Sequence, residues 1–349
     1  MIKAVLQGVC RMGKSLAASL PRRTGGGCGV HFDADGVHFV RLTRIPGPAR
    51  LQVDAHGAAM LEDGMLRGAA LAKPEAVARR LGELLERLGM TAQAMCDDVV
   101  VTALPTHGLR TQVVDCPDGL PPRAFQAWCE RRAALLLPGD GDPDLRSRVG
   151  VTWAEPGSHR LRLYACDAEL ADDRVAVLEM AGLRVHAIDA AHEAGRRAFR
   201  WARPPDEDAT ASGRRDVPVA LLQVDSQALD FSAFDGQVCV AHAQERFDGA
   251  GGSADALAGV ARRVWAKLPV APGMMYLVTS GASPAALVAI CDALAAACGV
   301  PVRPFDPLRR FGGAATGDPR RPTFAQRTAL AVPCGLALRA MTMQGVPCD

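Results

Sequence analysis

Two short turns carry the residues of this chain that are best suited to chemistry. Residues 29–42 and 221–234 each read as an apolar strand, a tight turn of small or acidic residues, and a second strand with alternating apolar positions. The turn residues that could bind a ligand are Asp33, Asp35, Gly36, Asp225 and Ser226. Carboxylates bind hard cations, and glycine lets backbone amides approach a phosphate. A unit that recurs this far along the chain also predicts a duplicated α/β domain.

The composition is that of a globular protein without the excess of positive charge that would attract nucleic acid. The 349 residues are enough for two separate cores, and 40 basic against 38 acidic residues leave a net charge of only +2. The 11 cysteines are scattered without a C-x-x-C pair, which favours buried thiols in a reducing compartment over a zinc site. No apolar run reaches the length of a membrane span. The sequence therefore predicts no metal, no nucleic-acid partner and no transmembrane helix.

The N-terminal extension, residues 1–27, is basic. Apolar residues recur at roughly helical spacing between its lysines and arginines, so residues 1–23 predict an amphipathic helix that could rest on anionic lipid or on a partner. A frayed extension without a role is the alternative. Residues 8–15 match the P-loop pattern G-x-x-x-x-G-K-S, but the helix that should follow would end by Pro21, before a glycine run. We interpret that match as chance.

Strands alternate with helices along the rest of the chain, which predicts an α/β fold. The expected strands are 29–44 as a hairpin, 51–55, 98–104, 110–114, 149–153, 160–166, 183–188, 217–224 followed by a hairpin through residues 235–236, 275–279 and 300–304. The expected helices are 74–88, 122–136, 167–181, 192–201, 254–267, 284–298 and 330–341. Residues 60–66 read as a turn, and the Pro-rich segment 203–215 as a linker.

Four further motifs occur in an order that is typical of one family. They are Met60-Leu-Glu-Asp-Gly-Met-Leu66, Thr102-Ala-Leu-Pro105, Ala181-Gly-Leu-Arg-Val-His-Ala-Ile-Asp189 and Leu330-Ala-Val-Pro-Cys-Gly-Leu-Ala-Leu-Arg339. Together with the first hairpin they resemble the PilM family, the cytoplasmic actin-like component of bacterial type IV pilus assembly, which is related to the division protein FtsA. The G-L-A-L-R of the last helix is the most specific of them.

The resemblance implies an actin-like duplicated fold. The first actin-like subdomain would comprise residues 28–105 and 190–202, with a small α+β subdomain, 106–189, inserted in it. Residues 216–345 would form a reduced second half, because the helix at 254–267 runs almost directly into the next strand where the family has an additional lid subdomain. That loss predicts an open nucleotide cleft.

The family's nucleotide site is only partly retained. By the resemblance, His31 and Gln223 stand where the family has carboxylates, and Asp225 stands where it has a glycine. Neutral imidazole is a poor ligand for Mg²⁺, and a carboxylate repels a triphosphate unless a metal intervenes. Gly281 is retained near the place of the adenosine. The remnant of the site is therefore Asp33, Asp35, Gly36, Asp225, Ser226 and Gly281.

Three alternatives for function follow from the resemblance. The first, which the departures favour, is a non-catalytic cytoplasmic scaffold at the inner face of the inner membrane. It would bind the cytoplasmic tail of a PilN-like membrane protein in a groove between the first subdomain and the inserted one, without ATP or Mg²⁺. The second is an ATP-binding ATPase whose nucleotide state regulates pilus assembly. The third is a secretion-system linker similar to GspL. A homo-oligomer is compatible with each.

Overall fold

A computed structural model describes residues 25–46, 51–91, 93–137, 147–153, 159–203, 217–247, 253–311, 323–346 and 348. The predictions for residues 1–24, for the P-loop match and for the linker from residue 204 onward lie outside the described residues. Within the described ranges, no helix combines the length and apolar character needed to cross a bilayer.

The described strands and helices alternate as the sequence predicts. The strands are β1 (Gly27–Asp33), β2 (Gly36–Arg44), β3 (Leu51–Met60), β4 (Leu66–Arg67), β5 (Ala70–Leu71), β6 (Val99–Leu104), β7 (Arg110–Asp115), β8 (Ser147–Trp153), β9 (Arg160–Asp167), β10 (Val185–Ala190), β11 (Val219–Val224), β12 (Ala228–Asp235), β13 (Val238–Arg246), β14 (Met274–Val278) and β15 (Val302–Pro304). The helices are α1 (Pro74–Arg87), α2 (Pro122–Ala134), α3 (Ala168–Met180), α4 (Ala191–Ala202), α5 (Ala254–Trp265), α6 (Pro284–Cys298), α7 (Phe324–Thr328) and α8 (Ala331–Met343).

Two five-stranded sheets have the same topology. The first sheet has the strand order β10-β6-β1-β2-β3, and the second has the equivalent order β15-β14-β11-β12-β13. In each sheet, three consecutive strands form an antiparallel meander. The first strand of the meander also pairs in parallel with the next strand of the sheet, which pairs in parallel with the edge strand. The central strands of both sheets are almost entirely buried, as their apolar runs predict. The prediction of a duplicated α/β fold is therefore confirmed.

A third, smaller sheet lies between β6 and β10 in the chain. It is antiparallel with the order β7-β9-β8, and helices α2 and α3 pack on it. A cluster that includes Leu104, Leu109, Tyr164, Cys166 and Ile188 joins this sheet to the carboxyl end of the first one. The fold thus contains a small α+β unit inserted in the first half.

Helices α4 and α8 pack against each other, and α8 also packs on β1, β2 and β6. A Cβ on Gly29 of β1 would overlap the carbonyl oxygen of Pro333, and a Cβ on Gly335 would overlap that of Ala194. Only glycine permits these approaches of α8 to β1 and to α4. Arg339, the last residue of the G-L-A-L-R motif, lies 2.8 Å from the carboxylate of Asp189 at the end of β10. The glycine of the G-L-A-L-R motif is thus explained by close helix packing, and its arginine by an ion pair.

The structure differs from the predicted elements at several edges. β3 continues to Met60, five residues beyond its predicted end at residue 55, because its second part still pairs with β2. β1 begins at Gly27, which we assigned to the extension, since that residue already pairs with β6. The short elements β4, β5 and α7 were not predicted, because segments of two to five residues carry no usable periodicity. The domain boundaries themselves stay predictions.

Candidate functional site

A cleft lies between the two large sheets, where an actin-like fold has its nucleotide site. Its walls come from the β1–β2 turn, the turn after β6, the start of α4, the β11–β12 turn and the end of β14. Of the predicted site residues, Asp33, Asp225 and Ser226 line it. The cavity volume is about 50 Å³, which is room for only a few water molecules at ~10–15 Å³ each.

The carboxylate of Asp33 is hydrogen-bonded within its own hairpin. One oxygen accepts the amides of Asp35 and Gly36, each at 3.0 Å, and the imidazole of His38 lies 3.1 Å from the other oxygen. Burial by itself would raise the pKa of Asp33, but His38 outweighs it and holds that pKa well below its usual range. Burial likewise disfavours charge on His38, and Asp33 nevertheless raises its pKa above the ordinary value. Asp33 and Gly36 therefore shape the turn.

His31, at the place of the expected carboxylate, is buried and neutral. It lies directly opposite His38 in the β1–β2 register and is 6% exposed. Burial lowers the pKa of His31 to about 4, and its Nδ1 has no protein partner. A neutral imidazole at this position has neither the charge nor the oxygen ligands that Mg²⁺ requires.

Asp35 reaches across the mouth of the cleft. Its carboxylate lies over the α-carbon of Gly281, so closely that a Cβ there would overlap it. Burial and the neighbouring Asp33 raise the pKa of Asp35, while a hydrogen bond from Ser280 opposes the rise. This contact joins the two lips of the cleft, and the predicted absence of a lid subdomain stays a prediction.

Gln223 and Asp225 of the second hairpin are also bound by protein groups. The amide nitrogen of Gln223 donates to the carbonyl oxygen of His192, at 2.9 Å, and its side chain packs on Gly195, where any Cβ would overlap it. The carboxylate of Asp225 accepts the amide of Gln227 at 2.8 Å and lies 3.2 Å from Nδ1 of His107. These side chains connect the second sheet to α4 and to the turn after β6.

The charge of the cleft is unsuited to phosphate. No lysine or arginine is among the described residues that line the cavity, whereas Asp33 and Asp225 are. Burial lowers the pKa of His192 to about 4, so this wall residue is neutral as well. In the part of the chain that the structure describes, no group of three or more His, Cys, Asp or Glu residues is arranged to hold a metal ion.

Beside the cleft lies a buried ionic network that sequence reasoning missed. Arg196 of α4 donates to Ser232 at 2.6 Å, to Glu193 at 2.9 Å and to Asp230 at 3.1 Å. Tyr164 of β9 donates to Glu193 at 2.6 Å. Burial alone would raise the pKa of Asp230, but Arg196 outweighs it and keeps that pKa far below its usual range. The one available signal was the pair of polar residues, Asp230 and Ser232, inside an otherwise apolar strand.

The duplicated sheets and the cleft between them define the class: the chain has an actin-like fold. A solved structure described as the PilM-PilN type IV pilus biogenesis complex matches it with a TM-score of 0.69 at 18% identity, over 92% of this chain and 99% of that chain. The fold is therefore PilM-like, as the sequence resemblance implies.

Two further structures are more distant. A protein with actin-like ATPase fold and unknown function from Bacteroides thetaiotaomicron gives a TM-score of 0.49 at 10% identity, over 82% of this chain and 93% of that chain. The cytoplasmic domain of EpsL, an inner membrane component of the type II secretion system of Vibrio cholerae, gives a TM-score of 0.41 at 11% identity, over 74% of this chain and 84% of that chain. Both TM-scores fall below 0.5, so these two similarities are too weak to indicate function. No family model and no curated sequence matches the chain.

Proposed function

We propose that this protein is a non-catalytic scaffold of a type IV pilus inner-membrane platform, which binds the cytoplasmic tail of a PilN-like membrane protein. The fold shared with the PilM-PilN structure supports this class of function. The observation that carries the non-catalytic part is that Asp33, Asp35 and Asp225 are all engaged by other protein groups.

Mg²⁺ and ATP do not fit the residues of the cleft. A triphosphate would meet the carboxylates of Asp33 and Asp225 with no lining lysine or arginine to offset their charge, and like charges at close range repel strongly in a partly dry site. The amide of Gln223, held by α4, is in no position to replace an acidic ligand of a cation. The nucleotide-regulated ATPase is thus the less supported alternative.

The third sheet offers an edge for an extended peptide. Its outer strand β7 pairs with β9 on one side only, and no described strand pairs with its other edge. The side chains of Thr111 and Val113 on β7 are half-buried. A free edge of this kind can take up a peptide by backbone hydrogen bonds, with the side chains giving selectivity. We assign the partner's tail to this edge.

The same partner would place the protein on the cytoplasmic side, at the inner face of the inner membrane. Residues 1–23, which are basic in sequence, would add attraction to anionic lipid in that position. Deleting residues 1–23 would distinguish membrane association through this segment from membrane association through the partner.

Calorimetric titration of the purified protein with the synthetic tail of a PilN-like protein from the same genome tests the proposal. We expect saturable binding at micromolar concentration, and none with a scrambled peptide of the same composition. Absence of saturation at millimolar peptide would overturn the pilus assignment. The absence of pilus membrane proteins from the neighbouring genes would do so as well.

A further inference from the structure

The tip of the first hairpin is a braced structure rather than a loose loop. Asp33 holds the amides of Asp35 and Gly36, each at 3.0 Å, and is itself held by His38. These bonds fix the direction in which Asp35 projects from the turn. The side chain that reaches the opposite lip is therefore presented by a rigid support.

The opposite lip is equally fixed in shape. Gly281 follows the end of β14 with a φ of +68°, a conformation that glycine adopts without strain. The carboxylate of Asp35 occupies the space in which a side chain at this position would begin, and Ser280 gives it a hydrogen bond. The two surfaces are thus complementary only while residue 281 has no side chain.

We propose that Asp35 and Gly281 form a latch that keeps the two halves of the molecule closed over the cleft. The contact lies at the mouth, whereas Asp33 and Asp225 lie on the walls of the cavity behind it. When the latch is released, the hairpin tip and the loop after β14 separate and the walls become accessible to water. The latch is independent of the pilus partner, so its test can fail without affecting the proposed binding of the partner's tail.

Glycine variants provide a matched test of the latch. Gly281→Ala introduces a methyl group that overlaps Asp35 and also strains a positive φ. Gly236→Ala, in the β12–β13 turn, imposes the same kind of strain at a φ of +54° with nothing within 4 Å of the new Cβ. Asp35→Ala removes the latch from the other side without backbone strain. The double variant Asp35→Ala with Gly281→Ala measures the coupling of the two positions.

Hydrogen exchange of backbone amides, followed by mass spectrometry, reports opening of the cleft directly. We expect exchange at residues 33–36, 223–226 and 278–281 to rise about tenfold in Gly281→Ala and in Asp35→Ala, with little further rise in the double variant. Exchange in the core of β12 should stay unchanged, which separates local opening from global unfolding. Cleft exchange in both single variants equal to that of Gly236→Ala would overturn the latch.

Discussion

The guanidinium of Arg196 lies 3.1 Å from the carboxylate of Asp230, inside the protein and between helix α4 and the second sheet. Both side chains are almost completely removed from solvent. Glu193 and Tyr164 extend the same network to the third sheet. This network therefore connects α4 both to the second sheet and to the third sheet.

Arg196→Met should destabilise the protein strongly, because it leaves the Asp230 carboxylate buried with too few partners. Breaking a buried pair by removing one partner typically costs about 3–5 kcal/mol. The free energy of unfolding from urea titration measures this loss.

Two controls make that prediction specific. Arg80→Met breaks exposed ion pairs with Glu62 and Glu83 and should leave the urea midpoint unchanged. Arg196→Met combined with Asp230→Leu should recover part of the lost stability, since the Asp230 carboxylate is no longer buried without Arg196, although Glu193 still lacks its arginine partner. A double variant less stable than Arg196→Met would contradict this account of the network.

Gly335→Ala tests the close approach of α8 to α4. The added methyl group would overlap the carbonyl oxygen of Ala194, and such overpacking costs about 1–3 kcal/mol. Gly259→Ala in α5 is the matched control, because nothing lies within 4 Å of its Cβ. It should instead stabilise the helix by about 0.5–1 kcal/mol. Equal effects of the two changes on the thermal midpoint would refute the packing argument.

Much of this architecture could be predicted from the sequence, since the hairpins and strand periodicities are local. The departures at His31 and Gln223 followed from the family resemblance rather than from local pattern. The role of Gln223 could not be predicted, because its side-chain amide donates to a carbonyl oxygen of α4, 31 residues earlier in the chain. The Asp35–Gly281 contact joins residues from opposite halves, and local patterns contain no information about which loop tips touch.

Stability should fall as the pH drops from 7 to 4, because two buried histidines resist protonation. The pKa of His31 and that of His192 are each about 4 in the folded protein, against an ordinary 6.5. The unfolded chain therefore binds protons first, and each histidine costs up to about 3 kcal/mol by pH 4. Carboxyl groups with lowered pKa, such as Asp33, add to this loss from about pH 5 downward, as they become protonated in the unfolded chain.

The variant His31→Gln should flatten that pH dependence, as judged by unfolding free energies at a series of pH values. His159→Gln alters an exposed residue and serves as the control. If His31→Gln and wild type lose the same stability between pH 6.5 and pH 4.5, His31 is not the titrating group.

Thr111→Lys should weaken binding of the partner's tail at least tenfold, because a charged side chain on the free edge of β7 opposes strand addition. Met60→Lys places the same charge at an exposed position on β3, the free edge of the first sheet, and should leave affinity unchanged. Calorimetry with the tail peptide compares the two variants. Equal affinities would move the tail away from β7.

The most direct test of the scaffold account is the affinity of the tail peptide measured with and without saturating Mg²⁺ and ATP. We predict the same dissociation constant in both conditions and no ATP binding at micromolar concentration. Micromolar ATP binding that is lost in Asp225→Ala, together with a tenfold change in peptide affinity, would contradict it and establish a nucleotide-regulated protein instead.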